Sequence, residues 1–338
     1  MKKVLFIVDI EGWAYDDQAK NWKRELKEEF DIDILYLNNF SPNNFGVESK
    51  KIISRINRDI LNGNNSGSWS AKDLLYLGPD KQRPKSIFDH NEYGLIILFY
   101  SNAVFDSRLS GTVMPSEKTL IFVNNEKWED EGAENFILSV KDYCKGFICC
   151  NQYIYDKFSN FHKKIYKASQ LVNCNVFYPM KRKIFDKDNF ILGYSGSVSN
   201  PYKNFSLIKS SALKAGVTLS VAQDLTRKEL NDWYSQVDAI ICASKSEGGP
   251  MCVLEAGATK TPVITARVGL CREFANNSNS YIVKKTKESI ISAINMVKDD
   301  FVGYNIKSEV LYNDIIRNYT YRSRSNDMKH IISDNLQK

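Results

Sequence analysis

Short, unbroken apolar runs recur along the chain at intervals that suit strands alternating with helices. Val4–Val8, Gly94–Tyr100, Thr119–Val123 and Gly146–Cys150 are continuous rather than alternating, as expected for parallel strands covered on both faces. Ile32–Leu37 alternates and predicts one more strand, while Gly146–Cys150 reads as the last strand of a first domain. The pattern between them predicts helices over 16–30, 47–61 and 153–161. Residues 38–46 and 62–68 read as loops from their Asn, Gly, Ser and Pro content. In the second half the predicted strands are Phe190–Gly196, Val217–Val221, Val237–Ala243 and Thr261–Ala266. Thr226 and Glu229 stand at capping-box spacing and predict a helix start. The tail from Ser308 to Leu336 predicts one or two helices.

Such an order predicts an α/β chain, and 338 residues are too many for one typical core. The longest apolar runs are far short of the ~20 residues that span a bilayer. Lys2 and Lys3 lead straight into a strand, unlike a signal peptide. The seven cysteines are odd in number, and Cys149, Cys150 and Cys242 lie in apolar stretches, which suits reduced thiols in a cytoplasm. No second cysteine pair or nearby histidine completes a metal site around Cys149-Cys150. His90, His162 and His330 are the only histidines, and no pair has catalytic or ligand spacing. The net charge of +6 favours anionic partners of any kind, from nucleotide-sugars to phospholipid headgroups. With no zinc-finger spacing, aromatic RNA-binding motif or long basic tract, nucleic acid is not favoured.

The densest chemistry lies in 244–256, between two predicted strands. Gly248 and Gly249 lack side chains, so a ligand could approach their N–H groups, and Pro250 suits the first turn of a short helix. The donors of that first turn, at Met251 and Cys252, favour an anion. Glu247 on the loop can accept hydrogen bonds from hydroxyls, and Glu255 follows on the helix. Two carboxylates thereby flank a phosphate-friendly helix end, an arrangement that fits a nucleotide-sugar. The plainer alternative is a glycine turn capping a helix, with both glutamates solvated.

Glu247-Gly-Gly-Pro-x4-Glu255-Ala, framed by these strands, resembles the donor-site signature of retaining family-4 glycosyltransferases. The resemblance implies an α/β fold of two Rossmann-like domains facing a cleft, the GT-B architecture. It implies an acceptor-binding domain over 1–168, a donor-binding domain over 169–310, and C-terminal helices over 311–338 that cross back to the first. Leu171–Pro179 weakly resembles the interdomain turn of these enzymes and places the linker. Glu247 would then hold the transferred sugar and Glu255 the ribose. Gly196-Ser197 and Lys203 are similar to the family's diphosphate clamp, with Ser197 standing where arginine is usual. Lys203 would neutralise the diphosphate, or else be an ordinary surface lysine.

In the first domain the opening loop, with Gly12 and Trp13, resembles one that faces the cleft. Gly12 would admit substrate to the backbone, and Trp13 would either stack on a sugar or pack its helix. Asn102 follows one strand end. At the next, Asn124 or Asn125 stands where relatives carry a histidine. The resemblance implies a hexosyltransferase-type enzyme needing no metal or cofactor, with a nucleotide-diphosphate sugar as donor and an unidentified hydroxyl acceptor. It implies glycan biosynthesis in the cytoplasm, with peripheral contact at the inner face of a membrane as a variant. Two rivals stand beside it: an enzyme like the DNA glucosyltransferases, and an inactive nucleotide-sugar-binding subunit.

Overall fold

A computed structural model describes residues 3–12, 14–39, 87–99, 104, 109, 114–124 and 132–336. The predicted helix over 47–61 and loop over 62–68 lie outside these residues. The chain divides into two compact units. Unit 1 comprises Met1–Cys149, Tyr153–Lys167 and Asp327–Lys338, and unit 2 comprises Cys150–Gln152 and Ala168–Asn326.

Unit 1 is built on a parallel sheet of β1 (Lys3–Val8), β2 (Asp31–Tyr36), β3 (Tyr93–Leu98), β4 (Thr119–Val123), β5 (Gly146–Cys149) and β6 (Ile165–Lys167), in the order β2-β1-β3-β4-β5-β6. The central strands are the continuous apolar runs, because helices cover both faces of a parallel sheet. Helices α1 (Ala14–Leu26), α2 (Ala133–Val140) and α3 (Gln152–Ser159) follow strands in the crossover pattern. Fully buried Trp22, Phe6, Phe99 and Phe122 fill the core, with the Phe6 and Phe99 rings 4.9 Å apart. β5 is not the last strand. The three-residue β6 pairs beyond it, half-buried and too short to show a period.

Unit 2 has a second parallel sheet of β7 (Ile191–Ser195), β8 (Thr218–Ala222), β9 (Ala239–Cys242), β10 (Val263–Ala266) and β11 (Tyr281–Val283), in the order β11-β10-β9-β7-β8. Its helices are α4 (Phe205–Lys214), α5 (Arg227–Gln236), α6 (Met251–Ala258), α7 (Cys271–Phe274), α8 (Lys287–Asp299) and α9 (Phe301–Asn318). The capping box at α5 forms as predicted, Thr226 and Glu229 each bonding the other's backbone N–H. α9 runs unbroken across the expected boundary at 310/311, and its Leu311 and Ile315 crowd the small face of α6 at Gly257. The expected 311–338 segment is therefore split, with α9 in unit 2. The return to unit 1 begins at Asp327, inside α10 (Ser325–Asn335). There Met328, Ile331 and Ile332 are buried, and Asn335 accepts a 2.9 Å bond from Lys145. Among the described residues no helix is long and apolar enough to cross a membrane.

Candidate functional site

β7 lies between β8 and β9, so the chain leaves β7 to one side and later returns on the other. Loops leaving the carboxyl ends of β7 and β9 therefore diverge from adjacent strands, the place where open α/β sheets hold ligands. Asp238 fixes that adjacency. Its carboxylate accepts the Ile191 N–H at 2.7 Å, its own N–H donates to the Ile191 carbonyl at 2.8 Å, and Lys183 neutralises it at 2.6 Å. The loops are tied in turn. The Lys245 N–H donates to the Tyr202 carbonyl at 2.7 Å, and the Asn204 amide to the Ala243 carbonyl at 3.1 Å.

This geometry brings Lys203 and Glu247 together. Lys203 ends a 3-10 turn over Pro201–Lys203 that the Asn200 side chain caps, and its Nζ donates to Glu247 Oε1 at 2.7 Å. The two side chains are 30% and 11% exposed, so the pair is partly shielded but reachable. Burial pulls the Lys203 ammonium toward neutrality, but the Glu247 charge and hydrogen bond outweigh it and the net shift is upward. Lys203 therefore stays cationic. Gly196 is half-buried and Ser197 exposed. The Ser197 carbonyl accepts the Tyr194 hydroxyl at 3.0 Å, and its own hydroxyl lies 3.2 Å from that of Ser199.

The 248–250 segment is buried. The Gly248 carbonyl accepts both the Leu270 N–H and the Asn151 amide, each at 2.8 Å. Carbonyl and N–H point oppositely across a trans peptide, so anchoring that carbonyl turns the Gly249 N–H the other way. The reason for glycine at 249 differs from the expected one. The side chain of Gln170, not open space for a ligand, fills the volume a Cβ would occupy. Behind the loop, Gly269 sits at φ +48, and a Cβ there would collide with the Gly248 carbonyl and stand 2.5 Å from that of Glu247. Gly269→Ala should lower stability by about 1–3 kcal/mol, from the left-handed backbone and the collision together. A chemical-denaturation midpoint equal to wild type would contradict this.

α6 begins at Met251, and the N-cap, Pro250, supplies no capping side chain. Met251 and Cys252 occupy its first turn, half-buried. The Cys252 thiol is held neutral, since its contact with Cys242 and its burial both push its pKa well up. Glu255 lies about 6 Å of helix rise beyond Met251 and is 2% exposed. Its Oε2 accepts the Tyr234 hydroxyl at 2.8 Å, and its Oε1 accepts from Arg227 at 2.8 Å. Burial and the Glu255 charge drive the Tyr234 pKa well up, so the phenol remains a donor. Sequence reasoning missed Arg227. The capping box marked its helix but gave the side chain at the first helical position no direction.

In unit 1 the expected acceptor residues fall as follows. Gly12 is exposed at φ +83, and its N–H donates to Asp16 Oδ2 at 2.7 Å. Asn124 is buried and donates to the Phe99 carbonyl at 2.7 Å. Trp13 and Asn102 lie outside the described residues.

Residues 178–307 match the family of glycosyl transferases group 1, a span that holds Gly196, Lys203, Arg227, Glu247 and Glu255. This stretch of unit 2 is similar to the group 1 glycosyl transferases. Similar solved structures include sucrose-phosphate synthase from Thermosynechococcus elongatus, at 11% identity over 98% of both chains and a TM-score of 0.69. Another is HepE of Anabaena in complex with UDP and glucose, at 10% identity over 98% of this chain and 100% of that one, TM-score 0.64. A third is a glycosyltransferase from Rickettsia africae, at 13% identity over 99% of both and a TM-score of 0.64. No curated protein sequence matches the chain. The likeness over both units shows the two-domain GT-B fold. Together with the group 1 match it supports a glycosyltransferase.

Proposed function

We propose that the chain transfers a sugar from a nucleotide-diphosphate sugar to an acceptor hydroxyl, with retention at the anomeric carbon and without a metal ion. One observation carries the reading: the two signature glutamates, one before and one within α6, are each paired with a cation, and no side chain caps the start of that helix. Charge that develops on a leaving diphosphate would be met by helix donors and by Lys203. Glu247, on the loop before the helix, would face the transferred sugar. The UDP and glucose held by HepE support this class of donor. The family-4 signature supports retention. On this reading the enzyme acts in the cytoplasm in glycan biosynthesis, with peripheral contact at a membrane.

Incubation with a panel of nucleotide-sugars, with water as the only acceptor, tests the reading. Slow hydrolysis of one donor is expected, whereas binding without turnover would favour an inactive binding subunit. Addition of duplex DNA should not accelerate release of the nucleotide. EDTA should leave most of the rate intact. A rate lost on chelation and restored by magnesium or manganese would reject metal independence.

A further inference from the structure

The three strands on one side of β7 are each followed, within three residues, by an exposed cation. Val283 at the end of β11 pairs with Ala266 at the end of β10, so Lys284 and Arg267 leave adjacent strands level with one another. Thr265 of β10 pairs with Cys242 at the end of β9, and Lys245 follows on that loop. Neighbouring strands stand about 4.8 Å apart, so these loops form one short strip. Lys285 closes it, its Nζ donating to the Lys245 carbonyl at 2.7 Å. Lys183, Lys203, Arg227 and Lys260 of the same unit each pair with a carboxylate. Lys245, Arg267, Lys284 and Lys285 pair with none among the described residues, and Arg267 donates only weakly, to the Arg272 carbonyl at 3.4 Å. Like charges gathered on one edge raise a local positive potential that draws an anion.

The strip continues from the donor loops. Lys245 stands two residues before Glu247, and its N–H holds the carbonyl of Tyr202, the neighbour of Lys203. Among the described residues no exposed large apolar side chain belongs to the three loops of the strip; on this sheet edge Val198 and Leu225 follow β7 and β8 instead. A surface that settles into a bilayer combines cations with apolar side chains, so the strip fits a polar anion in water. We propose that it binds an anionic acceptor, a hydroxyl substrate held through its phosphate, sulfate or carboxylate groups while the reacting hydroxyl lies at the donor loops. The proposal rests on the donor reading above and names the acceptor class that reading leaves open.

The test uses the full chain and titrates dextran and dextran sulfate, one glycan without and with anionic groups, into three proteins. These are wild type, a strip variant (Arg267→Gln with Lys284→Gln) and a control that loses the same charge from exposed sites on the opposite sheet edge (Lys187→Gln before β7 with Lys214→Gln at the end of α4). Wild type should bind dextran sulfate and not dextran, with saturating nucleoside diphosphate present or absent. The strip variant should bind it roughly three- to thirty-fold more weakly, and the control should resemble wild type. Arg267→Lys with Lys284→Arg should restore binding, and thermal unfolding checks each fold. Equal losses in strip variant and control, no binding by wild type, or displacement by nucleoside diphosphate would overturn the proposal. So would a strip variant that keeps dextran sulfate but no longer sediments with anionic phospholipid vesicles, since the strip would then be a membrane surface. Hydrolysis of the donor with water as acceptor should be unchanged in the strip variant. A wild type that hydrolyses no nucleotide-sugar would defeat the donor reading, while dextran sulfate binding judges the strip by itself.

Discussion

Glu247→Ala should cut turnover by about 10²–10³-fold while nucleoside diphosphate binds as well as before, or more tightly. The sign follows from the ion pair. Removing Glu247 takes away the carboxylate 2.7 Å from Lys203 and leaves that ammonium with more charge for a diphosphate. The contact to the transferred sugar disappears at the same time. A contact to a reacting sugar that strengthens as the sugar becomes cation-like lowers the barrier, and only such differential contacts raise the rate. Turnover and calorimetric affinity measured on one preparation check this, with circular dichroism reporting the fold. Near-normal turnover would sink the role of Glu247, and weaker diphosphate binding would show that Lys203 needs Glu247 to hold its position.

The second large effect is expected at Glu255. Alanine there strips the acceptor from Arg227 and from Tyr234, whose hydroxyl sits at a fully enclosed position. Removing a charged acceptor from the buried Tyr234 donor costs about 1.5–3 kcal/mol, so the unfolding midpoint should fall. Nucleoside diphosphate affinity should fall roughly ten- to a hundred-fold, because the ribose contact expected of Glu255 is lost. Glu255→Gln separates these effects. Its amide oxygen can still accept from Tyr234, so stability should recover further than affinity. A folded Glu255→Ala protein with unchanged nucleoside diphosphate affinity would rule out any part for this residue in the donor site.

Much of this architecture could be read from the chain. The buried strands β1, β3, β4 and β9 are continuous apolar runs because both faces of a parallel sheet are covered, and such runs are visible without neighbours. The signature helix is bounded by Pro250 and by the strand Val263–Ala266, and the capping box at Thr226 is a local bond between residues three apart. The group 1 match covers the same stretch. β6 escaped because three half-buried residues carry no period, and its place comes from pairing with β5.

The chemistry of the site divides along the same line. Residue identity set Glu247 and Glu255 about a helix end, and only the resemblance brought Lys203 to the same site. Only the tertiary structure decided which cation meets which carboxylate, because the pairing depends on β7 lying next to β9, a contact that Asp238 makes across 47 positions. It also decided that Gly249 makes room for Gln170 and that Gly269 makes room for the carbonyls of the loop. Neither is a property of the glycine's own neighbours in sequence. Arg227 is the clearest case. At the first position of a charged helix it reads as surface charge, and only the fold brings it to Glu255, 28 residues away, with its guanidinium 2.8 Å from that carboxylate.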